Sequence, residues 1–132
     1  MRFLIHGAVT PEGQQAMLTH EQALHTMLEL SEDSPASADF ADSPAELLKV
    51  LAKKQWNLFT TDTAFIHRMY EEKVPFAGVI VLLLDDPAVL SHQAPAIDRL
   101  FERYKRLTPR RLYTITASRV KIRQLPGAGQ AA

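Results

Sequence analysis

Apolar residues recur along this chain with two alternating periods. Arg2 to His6 is a short apolar run that reads as a first strand. Thr10-Pro11-Glu12 then carries the signs of a helix start. Threonine can cap the free N–H groups, proline suits the first helical position, and glutamate suits the positive end of the dipole. Ala16, Met17, Ala23, Leu24, Met27 and Leu28 continue at helical spacing, so periodicity alone predicts one helix from Pro11 to Leu30. Residues 31–43 are rich in Ser, Asp, Ala and Pro, with Phe40 the only large apolar side chain, and predict a mobile loop. Ser43-Pro44-Ala45-Glu46 opens a second helix as a capping box, followed by the apolar face Leu47, Leu48 and Leu51.

The second half repeats the alternation. Asn57 to Thr60 is β-prone, and Asp62 begins a helix with Phe65, Ile66 and Met69 on one face. Ala77 to Leu84 is continuously apolar, as a strand covered on both faces is. A long helix is predicted over roughly Pro87 to Leu107, with Leu90, Ile97, Leu100, Phe101 and Tyr104 as its buried stripe. Arg111 to Thr116 and Arg119 to Leu125 alternate around Ala117-Ser118, which is a hairpin signal. Pro126 to Ala132 reads as a flexible tail. Strands alternating with helices predict an α/β fold, with a mostly parallel central sheet flanked by helices in three layers and a C-terminal β-hairpin. Residues 1–125 read as a single domain.

Composition narrows the chemistry. With 132 residues the chain can bury a core without covalent staples. It has no cysteine, which removes disulfides and thiolate metal sites and fits a reducing, cytoplasmic setting. The longest apolar run is too short to span a bilayer, so no membrane partner is expected. Net charge is zero but unevenly placed. Residues 1–98 hold six Lys/Arg and fourteen Asp/Glu, whereas residues 99–132 hold nine Lys/Arg and the single acid Glu102. An acidic body followed by a basic last quarter suggests a polyanion or an acidic protein face as partner.

Four pieces, in order, carry a resemblance: Phe3-Leu4-Ile5-His6, Thr60-Thr61-Asp62-Thr63-Ala64-Phe65, Gly78-Val79-Ile80-Val81-Leu82 and Arg119-Val120-Lys121-Ile122-Arg123. Together they resemble a family of small bacterial PIN-like domains, over nearly the whole chain. The resemblance implies a short second strand around Ala23 to Thr26, against the periodicity, and the strand is the reading adopted because a parallel sheet needs it. It also implies a metal-dependent ribonuclease ancestry, in which carboxylates at the carboxyl ends of the central strands hold Mg²⁺ or Mn²⁺. Here that acidic set is depleted. His6 stands where the family has Asp at the end of the first strand, Pro44 aligns with the second-helix Asp, and Ala64 with a third acid. Asp62 is retained.

The candidate catalytic residue is therefore Asp62, and the candidate metal ligands are Asp62, His6, Glu46, Asp42 and Asp85, with Mg or Mn as the cofactor if the chain is active. Each has an ordinary structural alternative. Asp62 is equally a helix cap, His6 a buried histidine bonded to its surroundings, Glu46 the partner of Ser43 in the capping box, and Asp85 part of a turn. Arg103, Arg106, Arg110, Arg111, Arg119 and Lys121 are the candidate nucleic-acid contacts, or else solvated cations that guard a helix face and a sheet edge. The expectation is a degenerate PIN-like module that binds RNA or a protein partner without catalysis. The alternative is a weak Mg/Mn-dependent ribonuclease, of toxin–antitoxin type as the resemblance implies. Self-association through an exposed edge or helix face stays open.

Overall fold

The computed structural model describes residues 1–33, 43–84, 93–116 and 118–127. Its elements run β1 (Arg2–His6), α1 (Pro11–Thr19), β2 (Ala23–His25), α2 (Met27–Asp33), α3 (Pro44–Lys54), β3 (Asn57–Thr60), α4 (Thr63–Glu71), β4 (Val79–Leu83), α5 (Gln93–Arg103), β5 (Arg111–Ile115) and β6 (Val120–Gln124). One sheet takes all six strands in the order β2-β1-β3-β4-β5-β6. The pairings from β2 through β5 are parallel, and β6 joins β5 antiparallel.

Side-chain alternation divides the core between the two faces of this sheet. Phe3, Phe59, Val79, Val81 and Tyr113 point to the layer made by α1 and α5. Their neighbours Leu4, Leu58, Ile80, Leu82 and Leu112 point to α2, α3 and α4. β4 is buried at every position because helices cover both its faces, which is why its sequence reads as an unbroken apolar run. Each fully buried Leu or Phe removed from water contributes about 1.5–3 kcal/mol.

Local chemistry sets the helix starts. Thr10, Ser43 and Asp62 each turn a side-chain oxygen to a backbone N–H of the first turn, in α1, α3 and α4 respectively. Proline stands at the head of α1 and α3.

Three expectations need correction. The periodic helix over 11–30 stops at Thr19. His20 caps it, Glu21 turns into the left-handed region at φ 64°, and Ala23–His25 pairs with Arg2–Leu4. The open edge of β1 supplies backbone partners that a continued helix would forgo, so the strand implied by the resemblance forms. Second, the start of the predicted 31–43 loop is helical. α2 extends to Asp33, started by Thr26, whose hydroxyl accepts from Glu29 N at 3.2 Å, and anchored by fully buried Leu30. The rest of that loop, residues 34–42, lies outside the described residues. Third, α5 ends at Arg103, short of Leu107. Pro109 disfavours helix just before it, and the peeled segment tucks Leu107 into the core while Thr108 N donates to Tyr113 Oη at 2.8 Å. The predicted beginning of this helix, residues 87–92, is outside the described residues, as are 128–132 of the predicted tail. Among the described residues no helix is long and apolar enough to cross a membrane.

Candidate functional site

β1 sends its chain to β2 on one side, and the next strand in sequence, β3, lies on the other. The two connections depart to opposite faces, which opens a crevice at the carboxyl ends of β1 and β3. Open α/β sheets bind ligands at such switch points.

His6 and Thr60 close these two strands and are paired in register. His6 Nδ1 lies 2.8 Å from Thr60 Oγ1, and its ring packs on Phe65 with centroids 4.8 Å apart. Both residues are buried. Thr60 Oγ1 also accepts from Asp62 N at 2.9 Å. A hydroxyl has one proton and two lone pairs, so it can serve His6 as donor or acceptor according to the tautomer. Thr61 ties the neighbouring loop: its N–H donates to His6 O at 3.1 Å and its hydroxyl accepts from Ala8 N at 2.7 Å. The close approach works because Gly7 sits at φ 85° with no side chain, where a Cβ would run into Thr61 Oγ1.

Asp62 follows directly. Its Oδ1 accepts from Phe65 N at 3.1 Å and caps α4, while Oδ2 has no hydrogen-bond partner among the described residues. The third wall is Gln93, almost fully buried at the head of α5. Its Oε1 accepts from Thr10 N at 2.7 Å and from Thr10 Oγ1 at 3.0 Å, and its Nε2 donates to Ala8 O at 3.0 Å. One amide thus fixes the β1–α1 loop that borders the crevice.

The structure brings His6 and Asp62 to this edge. Glu46 lies exposed in the first turn of α3, its N–H directed to Ser43 Oγ at 3.4 Å. Asp42 and Asp85 lie outside the described residues. Among the described residues no group of three or more His, Asp or Glu could hold a metal ion. The described part of this edge holds one carboxylate, committed through Oδ1 to a cap, and one imidazole bonded to a hydroxyl, fewer ligands than the roughly six or more oxygens of a Mg²⁺ or Ca²⁺ cage. Sequence reading missed Thr60, Thr61 and Gln93. The two threonines were visible beside Asp62 as hydroxyls at a strand end. Gln93 gave no signal inside a stretch read as plain helix.

The six basic candidates separate to the two ends of the sheet. Arg111 opens β5 level with Val79, so it sits at the amino edge, opposite the crevice. Arg103, in the last turn of α5, leads into the segment of Arg106 and Arg110 that returns to that edge. Arg119, just before β6, and Lys121, within it, lie level with Thr116 and Thr114 and so toward the carboxyl edge. A five-residue strand separates the two groups by roughly 13 Å. All six are exposed, and none forms an ion pair among the described residues. Arg103 lies 5.7 Å from the centre of the Tyr104 ring, and Tyr104 meets buried Tyr113 edge-on.

The chain matches no protein-family model, no curated protein and no solved structure.

Proposed function

We propose that this chain is a PIN-like domain whose acidic site has degenerated, and that it acts by binding single-stranded RNA without cleaving it. The observation that carries the reading is the carboxyl end of β1. Where the resemblance expects a metal-binding Asp there is a buried His6, bonded to Thr60 and packed on Phe65. The neighbouring Asp62 spends one carboxylate oxygen on the α4 cap. RNA is favoured over a protein partner by the cations between 103 and 111. Arg103, Lys105, Arg106, Arg110 and Arg111 are exposed, and half-buried Tyr104 lies among them as a surface for a base. A cysteine-free domain of this kind fits the cytoplasm.

Fluorescence anisotropy with a labelled single-stranded oligoribonucleotide tests the binding. Affinity should fall with salt, with a log–log slope of about −0.7 for each phosphate contacted. Arg103→Gln with Arg106→Gln should lower both affinity and slope, and Arg119→Gln with Lys121→Gln should do less. Absence of salt-dependent binding would redirect the reading to a protein partner.

A second reading, a weak Mg/Mn-dependent ribonuclease of toxin–antitoxin type, is favoured by one detail. Asp62 stands at the switch point with Oδ2 unpartnered among the described residues. Titration calorimetry with Mn²⁺ separates the two, since this reading requires binding that Asp62→Asn abolishes.

A further inference from the structure

Away from the crevice, α3 stands off from the chain between α4 and β4 and leaves a groove of about 550 Å³. One wall is exposed Ala45, Lys49 and Ala52 of α3 with buried Leu48 beneath them. The other is Val74-Pro75-Phe76-Ala77, with Arg110, Pro126 and Gly127 completing the lining. A second hollow of about 310 Å³ shares Ala52, Phe76 and Ala77 and reaches Gln55, Trp56 and Gly78. The two form one trough, with Trp56 in the wall of its second part. Its size lies within the roughly 300–1,000 Å³ typical of small-molecule sites.

The lining has a specific charge pattern. Among the described residues the lining holds two ionisable side chains, Lys49 and Arg110, and no carboxylate. Neither cation forms an ion pair among the described residues. Arg110 is also held in place. Its N–H donates to Gly78 O at 2.8 Å and its carbonyl accepts from Leu125 N at 3.0 Å, at a left-handed φ of 66°. The guanidinium therefore leaves the backbone from a fixed point at the trough. Apolar walls with two cations and no acid complement a molecule that has an apolar body and one anionic head. A polyanion such as RNA would instead call for a row of cations and little apolar wall.

We propose that this trough binds an amphipathic organic anion, a carboxylate carried on an alkyl chain or ring, with Lys49 and Arg110 on the carboxylate and the α3 and Val74–Ala77 walls on the apolar body. The site is separate from the switch-point crevice; it shares Arg110 with the cationic segment assigned to RNA but does not depend on that reading.

Trp56 is the only tryptophan, so its emission reports occupancy without a label. The intact chain is titrated with decanoate, and with decanol and decylamine as probes of the same tail and different heads. Decanoate should give a saturable change, tighter than decanol, with decylamine weakest. Lys49→Gln combined with Arg110→Asn, the latter because asparagine tolerates the left-handed position, should weaken decanoate about tenfold, the scale of one charge-assisted contact. Decanol affinity should stay unchanged in that variant, which also checks that it is folded. Ala52→Leu, which fills the trough without altering charge, should weaken decanoate and decanol alike. No saturable response to decanoate, equal affinity for decylamine, or an unchanged decanoate affinity in either variant overturns the proposal.

Discussion

Asp62 holds the end of β3 to the start of α4 with a single carboxylate oxygen. The capping bond has a measurable consequence: Asp62→Ala should lower stability by about 1 kcal/mol, whereas Asp62→Asn, which keeps an accepting oxygen, should cost much less. Chemical denaturation of both variants checks this, and equal losses would mean that the cap is not what the residue supplies. A second side chain reads out its surroundings through pH. The hydrogen bond from His25 at 2.9 Å is the main reason the Glu29 carboxyl is held below its ordinary value of 4.5; burial opposes it as the next largest effect, and Thr26 adds smaller help. A carboxyl lowered in the folded state adds stability that is fully present above its unfolded value and is lost as pH falls through the folded one. Because Glu29 is exposed, the effect on stability is slight, and the titration itself is the better measure. NMR should place the Glu29 midpoint below 4.5, returning toward that value in His25→Ala.

Elements were legible where a local chemical signal agreed with the period. Ser43-Pro44 and Asp62-Thr63 mark helix starts that the structure bears out, and β4 announces itself as a run of Val, Ile and Leu. β2 was not legible from its own residues. Ala23-Leu24-His25 keeps helical spacing with what precedes it, and only the unpaired edge of β1, a long-range partner, makes it a strand. α2 is short and draws its stability from Leu30 beneath the sheet, which no local pattern shows. Gln93 is the clearest case at the candidate site, because its importance comes from Ala8 and Thr10, more than eighty residues away in the chain. Gln93→Ala should leave the Thr10 N–H and the Ala8 carbonyl without this partner and cost about 1–3 kcal/mol. Hydrogen exchange at the Thr10 amide should accelerate more than exchange in β4. Uniform acceleration across the sheet would point to a general packing defect instead of a loosened loop.

Across the whole molecule, an ordered sheet carries chemically different edges. The carboxyl edge between β1 and β3 is the switch point of the strand order and holds one acid and one histidine among the described residues. The amino edge carries Arg111 and the cationic segment that leads to it from α5. The zero net charge conceals this separation, which appears only when the basic last quarter is placed on the fold. In the proposed reading, contact with RNA passes to the cations while the crevice keeps its architecture and no longer carries the chemistry. The most direct measurement is incubation of the purified chain with end-labelled single-stranded RNA in Mn²⁺, resolved on a denaturing gel. The RNA should stay at full length under conditions where anisotropy shows it bound. Cleavage that depends on Mn²⁺ and disappears in Asp62→Asn would contradict the account.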